Sequence, residues 1–213
     1  MRPYTVVLLC LFPSALSAEN FAGGVVGIST LSADATTQDS PPSAVSAYKP
    51  ENGLTAVFFI GRSFTDWFSL QASYGWTRNS VVLSATQAGG AFAVPVRSTM
   101  HTIAAEAMVH FRRRGDRVRP YLSAGPAVTI LNAKLDGAPS IRGALPVPPP
   151  EFDATKPGLR VAVGIDLRIR SRLFLRYSFS ETIQSNTLSR HLTPRGSRNL
   201  ANFQNLWGVV GTF

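Results

Sequence analysis

A carboxylate and an imidazole stand four residues apart in the sequence, at Glu106 and His110. On a β-strand this spacing places both side chains on one face, where they could exchange a proton during hydrolysis. A catalytic set also needs a nucleophile, and the sequence contains no Gly-x-Ser-x-Gly motif. The other histidines, His101 and His191, do not combine with further ligands at the close spacing of a metal centre. We therefore expect no catalytic residue, no metal ion and no cofactor.

The charged residues between positions 159 and 179 lie in a regular alternation. Apolar residues occupy every second position from Leu159 to Ile169, and the pattern resumes after a short turn near Ser171. Because successive side chains of a strand point to opposite faces, this segment predicts a hairpin with one apolar face and one charged face. The charged face carries Arg160, Asp166, Arg168, Arg170 and Arg176.

The two ends of the chain favour a membrane location for this hairpin. Residues 1–18 have the features of a secretory signal peptide: a basic start at Arg2, a short apolar run and a small-residue cleavage site near Ala18. The apolar run is too short to cross a bilayer as a helix, and the last residue, Phe213, is aromatic. We therefore expect residues 19–213 to form one barrel domain that exposes its apolar face to lipid and its polar face to the lumen.

Eight strand candidates share this period of two. They lie near residues 21–31, 53–61, 68–77, 97–111, 119–131, the two arms of the 159–179 hairpin, and 202–213. Short turns at 62–67, 113–118 and 170–172 alternate with long segments at 32–52, 78–96, 132–157 and 186–200. Outer-membrane barrels have short periplasmic turns and long extracellular loops. The predicted fold is therefore an all-β, eight-stranded antiparallel transmembrane β-barrel.

Pro126 conflicts with the fifth strand, because proline cannot donate a backbone hydrogen bond to a closed sheet. It predicts either a bulge or a misplaced strand.

Aromatic residues fall at both expected membrane interfaces, which rings with one apolar and one polar end prefer. The predicted girdle consists of Trp67, Phe68 and Phe111 at the periplasmic rim and Tyr74, Trp76 and Phe179 toward the outer rim. A soluble β-sandwich would also bury aromatic residues, but it would not explain the alternation of short and long connections.

Four charged residues lie on predicted inner faces, in the periplasmic halves of their strands: Glu106, Asp166, Arg168 and Arg176. The interior of an eight-stranded barrel is just filled by side chains. We expect the four residues to form one interior ion-pair network, since an unpaired buried charge is costly. A pore lined by these charges is the alternative.

Two segments resemble a known family. The sequence Pro-Tyr-Leu-Ser-Ala-Gly at 120–125 and the terminal strand from Trp207 to Phe213 resemble those of the small, OmpA/OmpX-like eight-stranded outer-membrane barrels, often labelled porin-family proteins. The resemblance covers nearly the whole chain after the signal peptide and implies a place in the outer membrane of a Gram-negative bacterium. It also implies that the barrel-assembly machinery reads the terminal strand, with Trp207, Val209 and Phe213 on the signal face and Gly211 where an apolar residue is usual.

The net charge of +9 is compatible with nucleic-acid binding, but the basic residues form no single stripe and an exported chain rarely meets nucleic acid. We expect a monomer whose partners are outer-membrane lipid, the assembly machinery and an unknown surface ligand at the extracellular loops. The predicted role is structural or interactive, in envelope integrity or surface contact. The alternatives are a small diffusion channel and a lipid-modifying enzyme, such as a lipid A deacylase with a Ser/His pair on the lipid face. The nearby pair Ser189 and His191 lies in a predicted loop and has no third catalytic member.

Overall fold

The computed structural model describes residues 18–31, 37–39, 44–144, 148–188, 192, 194 and 199–213. Most of the predicted signal peptide, together with Ser189 and His191, lies outside these ranges. The described residues form the strands β1 (Glu19–Leu31), β2 (Thr37–Asp39), β3 (Ala44–Pro50), β4 (Gly53–Ser63), β5 (Phe68–Gln87), β6 (Gly90–His110), β7 (Val118–Leu135), β8 (Ser140–Gly143), β9 (Glu151–Arg170), β10 (Leu173–Ser185) and β11 (Asn199–Thr212). In the same ranges, no helix has the length and hydrophobicity needed to cross a bilayer.

Eight strands close into a ring. Their order is β5–β4–β1–β11–β10–β9–β7–β6, and β6 pairs again with β5. Neighbours in the ring are antiparallel, and the first and last strands of the ring meet where Asn20 and Phe213 exchange backbone hydrogen bonds of 3.1 and 2.9 Å. The predicted eight-stranded antiparallel barrel is confirmed. We call the end with the short connections the turn end and the opposite end the loop end.

The wall of the ring has a short half and a tall half. Strands β1, β4, β10 and β11 have 13, 11, 13 and 14 residues, close to the 9–11 or so that cross a bilayer. The adjacent strands β5, β6, β7 and β9 have 20, 21, 18 and 20 residues and rise well past that length. The prediction of a long irregular loop at 78–96 is therefore wrong, because β5 and β6 stay paired up to Gln87 and Gly90.

Side chains of β9 follow the predicted alternation. Leu159, Val163 and Ile169 are 47%, 52% and 57% exposed, whereas Arg160 and Asp166 are each 4% exposed. The apolar face therefore lies on the outside of the barrel and the charged face in the lumen.

The tall half reverses this polarity at the loop end. On β5 the outward residues are apolar up to Trp76, and the next outward residue is the exposed Arg78. Beyond that height the inward side chains become apolar and pack together. We call this cluster the loop-end core: Leu31, Val81, Leu83, Ala85, Phe92, Val94, Val96, Met100, Leu131, Ala133, Leu188, Leu192 and Leu200.

A second apolar cluster lies in the lumen toward the turn end. We call it the turn-end core: Phe21, Val25, Val57, Phe59, Met108, Tyr121, Phe174, Leu206 and Val210.

Pro126 lies within β7 and interrupts only one of its two ladders. The pairing of β6 with β7 runs to Ala104 opposite Ala127, skips two positions and resumes with Ala107 opposite Ala124. The pairing of β7 with β9 continues through Pro126. The strand is thus correctly placed, and the missing N–H of proline accounts for the local break.

Candidate functional site

A bidentate ion pair lies in the turn-end half of the lumen. Arg176 donates from Nε and Nη2 to the two carboxylate oxygens of Asp166, at 2.7 and 2.8 Å. The two residues are 3% and 4% exposed, and the register of β9 and β10 sets them directly opposite each other. The rings of Phe59 and Tyr121 have their centroids 4.7 Å from the Arg176 guanidinium carbon. The cation is therefore held by a carboxylate at its edge and by aromatic faces.

A second buried pair lies further toward the loop end. Glu106 is 2% exposed and accepts hydrogen bonds of 3.0 Å from both Ser73 and Ser123. Its Oε1 atom lies 3.6 Å from Nε of Arg160, which is itself 4% exposed. This carboxylate is satisfied by neutral donors as well as by a cation, as a buried charge requires.

Two glutamines join these pairs into one chain of hydrogen bonds and ion pairs. The amide of Gln71 donates to Glu106 at 3.2 Å and accepts from Arg176 Nη1 at 3.0 Å. At the far side, Arg160 Nη1 donates to Gln204 Oε1 at 3.0 Å. The Gln204 amide nitrogen in turn donates to the hydroxyls of Thr55 and Thr77 at 3.1 and 3.0 Å. We call Asp166, Arg176, Gln71, Glu106, Arg160 and Gln204 the lumen network.

The structure brings together three of the four charges that the sequence analysis placed in one network. Arg168 lies apart, nearer the turn end, and its guanidinium donates to the backbone carbonyl of Arg114. One inward step along a strand is about 6.6 Å, so Arg168 is displaced from Asp166 along β9. Sequence reasoning missed Arg160, although the same alternation places it on the charged face.

Glu106 and His110 have separate partners. His110 Nε2 lies 3.2 Å from the Ser69 hydroxyl, whereas Glu106 belongs to the lumen network. Within the described ranges, no three His, Cys, Asp or Glu side chains cluster closely enough to hold a metal ion.

The predicted girdle residues lie on the outer surface. Trp67, Phe68 and Phe111, at the turn end, are 49%, 39% and 59% exposed. Tyr74 and Phe179 lie further along the wall and are 42% and 37% exposed, and Trp76 follows Tyr74 on the outward face of β5.

The residues of the predicted assembly signal share one outward face of β11. Trp207, Val209 and Phe213 are 54%, 48% and 65% exposed, and the Trp207 ring lies 4.4 Å from that of Tyr177. Phe213 pairs with Asn20 through backbone hydrogen bonds in both directions.

A closed ring of eight strands with an apolar outer belt and a polar lumen defines an integral outer-membrane β-barrel protein. The sequence profile of the family described as outer membrane protein beta-barrel domain matches residues 5–206, and the chain belongs to this family. The protein is therefore integral to the outer membrane, with its turn end toward the periplasm and its loop end toward the cell exterior.

Solved structures with the same fold come from several bacteria. Neisserial surface protein A is 15% identical with a TM-score of 0.55, over 93% of this chain and 100% of that chain. OprG from Pseudomonas aeruginosa is 8% identical with a TM-score of 0.56, over 92% and 95%. Ail, the attachment invasion locus protein of Yersinia pestis, is 11% identical with a TM-score of 0.51, over 92% and 98%. At these identities the similarity shows the fold alone. No curated protein is significantly similar to the chain in sequence.

Proposed function

We propose that the protein is a closed, non-catalytic barrel that supports the cell envelope and contacts external surfaces through the loop-end part of its tall half. The observation that carries this proposal is the loop-end core, whose Leu83, Met100, Leu131 and Leu200 are each at most 2% exposed. Such a core is what a water-soluble β-sheet builds, so the loop-end part of the tall half is a folded body outside the lipid.

A filled lumen argues against a diffusion channel. The turn-end core packs around the lumen network, the loop-end core fills the lumen beyond it, and the void beside Glu106 and Arg176 measures about 20 Å³. That volume holds little more than one water molecule. The lumen network then acts as a plug, and its ion pairs compensate each other within the barrel.

The outer surface of the tall half suits a contact role. It carries exposed ion pairs between Arg97 and Asp136 at 2.7 Å and between Lys134 and Glu151 at 3.1 Å. The β5–β6 hairpin ends in an exposed tip at residues 88–89, and β8 pairs along its margin. A rigid scaffold that presents an exposed tip loses little conformational entropy on binding, which favours recognition.

The remaining partners follow from the same surfaces. The apolar belt is covered by outer-membrane lipid, the barrel-assembly machinery reads the face of Trp207, Val209 and Phe213 during biogenesis, and the barrel acts as a monomer. Arginine at Trp207 or Phe213 should slow assembly in cells without preventing refolding of the purified chain.

The test combines purified protein and cells. The barrel should give no steady conductance in planar bilayers and should hydrolyse neither lipid A nor phospholipid. In cells that lack the gene, surface adhesion should fall, and wild-type protein should restore it. A variant in which an Asn-Gly turn replaces residues 84–93 should insert and run normally on heat-modifiable gels but restore no adhesion.

Three results would each overturn part of the proposal. Steady conductance would assign a channel, and hydrolysis would assign an enzyme. Full adhesion with the shortened hairpin would remove the contact role from the tall half.

A further inference from the structure

A cavity of about 220 Å³ lies at the turn end, between the turn-end core and the periplasm. Arg114, Arg119, Arg168 and His110 lie in its wall, and exposed residues of two turns, Gly115 and Ser171, stand at its mouth. We call it the periplasmic cavity. It lies on the opposite side of the lumen network from the proposed contact surface and is independent of that function.

The wall of the periplasmic cavity has more cations than anions. Four arginines line it against two carboxylates, and one of these, Asp166, already binds Arg176. The other, Glu19, lies 3.8 Å from Arg114, and the Asp66 carboxylate, outside the cavity wall, lies 3.8 Å from the same arginine; both distances are longer than a hydrogen bond. A partly desolvated cluster of like charges is unfavourable unless an anion neutralises it.

Among the described residues, all hydrogen-bond acceptors of two of these arginines are backbone carbonyls. Arg119 is 7% exposed and donates to the carbonyls of Asp66 at 2.7 Å and of Arg112 at 3.4 Å. Arg168 donates to the carbonyl of Arg114. In the part of the chain that the structure describes, no carboxylate oxygen lies within 4.0 Å of the nitrogens of either side chain.

Two buried nitrogens in the cavity wall also have no hydrogen-bond partner among the described residues. They are Nδ1 of His110, a residue that is 3% exposed, and Nε of Arg168. When the Ser69 hydroxyl donates to His110 Nε2, the ring carries its proton on Nδ1, and this Nδ1–H group is a hydrogen-bond donor without an acceptor among the described residues. A buried donor without an acceptor costs free energy, so both atoms favour a ligand that supplies oxygen acceptors.

We propose that the periplasmic cavity binds a phosphate group. Guanidinium groups match phosphate oxygens in pairs, and a tetrahedral anion offers enough acceptors for Arg119, Arg168 and His110 together. The group comes either from inorganic phosphate in the periplasm or from the headgroup of a phospholipid in the adjoining leaflet. Both sources share this chemistry, and the experiment separates them.

The experiment uses the full barrel, refolded in a maltoside detergent that contains no phosphate. Inorganic phosphate is titrated by calorimetry against chloride at equal ionic strength. In a second arm, the barrel is reconstituted with phosphatidylglycerol or with a neutral galactolipid, and native mass spectrometry counts the lipids it retains. Each arm compares the wild type, Arg168→Gln and Arg170→Gln. Arg170 is exposed, lies two residues away on β9 and does not line the cavity, so it controls for net charge.

Binding in either arm should weaken about tenfold or more in Arg168→Gln, since hydrogen bonds to charged groups are among the strongest. Arg170→Gln should bind like the wild type. Calorimetric binding identifies free phosphate as the source, and selective retention of phosphatidylglycerol identifies a headgroup. The proposal is overturned by no binding in both arms, or by an equal loss in the two variants. If Arg168→Gln fails to run as a folded band, Arg168→Lys replaces it, and unchanged affinity there would overturn bidentate recognition.

Discussion

The Asp166–Arg176 pair gives the sharpest test of the lumen network, through the variants Asp166→Asn, Arg176→Gln and their combination. Breaking a buried ion pair by removing one partner costs about 3–5 kcal/mol of unfolding free energy. Asp166→Asn should cost about 3 kcal/mol, because Arg176 keeps its 3.0 Å bond to Gln71 and its aromatic contact with Tyr121. Arg176→Gln should cost about 5 kcal/mol, because Asp166 has no other hydrogen-bond partner in the described residues.

The double variant should cost less than the sum of the single variants. The two single costs add to about 8 kcal/mol, and coupling between contacting residues reaches up to about 3 kcal/mol. We therefore expect the double variant to lose about 5–6 kcal/mol. Urea unfolding in lipid vesicles, followed by tryptophan fluorescence, measures each value. Arg170→Gln, at an exposed position of β9, is the control and should stay within about 0.5 kcal/mol of the wild type.

Additivity would refute this reasoning. If the double variant equals the sum of the single variants within about 0.5 kcal/mol, the two side chains do not interact in the folded barrel.

Two further predictions test the lipid belt and the β6–β7 contact. Val163→Arg should destabilise the barrel by about 2–4 kcal/mol in lipid vesicles, because it places a charge in the lipid belt. Thr86→Arg is the control: this residue also points outward on the tall half but lies above the belt, so its unfolding free energy should stay within about 0.5 kcal/mol of the wild type. Equal costs for the two variants would show that the membrane boundary is misplaced. Gly125→Ala should cost about 1–3 kcal/mol of unfolding free energy in urea, since the added Cβ would lie within 3 Å of the Ala105 backbone. Gly211→Ala should be nearly neutral, because the atom nearest to the added Cβ would be 3.9 Å away. Equal stability of the two alanine variants would show that β6 and β7 approach less closely.

The sequence was sufficient for the register of the membrane-spanning strands. Along β9 and β10, a slip of one residue would place Asp166 and Arg176 in lipid, so the alternation specifies one register. The hydrogen-bond and ion-pair partners of the lumen side chains were harder to predict, because they depend on which residues of different strands lie at the same height in the barrel. Arg160 on β9 reaches Glu106 on β6 over the intervening strand β7, and no spacing within either strand records that contact.

The extracellular extension of β5 was missed for a different physical reason. A membrane barrel is apolar outside because lipid surrounds it, but above the bilayer water surrounds it and the favourable pattern inverts. On β5 the apolar residues occupy even, outward positions from Phe68 to Trp76, whereas the buried apolar residues from Val81 to Ala85 occupy odd, inward positions. If the apolar residues are assumed to keep the same alternating positions along the whole strand, the pattern predicts that the strand ends near Trp76 and that a polar loop begins there. The shift of phase instead marks the height at which the solvent changes, while the backbone ladder continues without a break to Gln87.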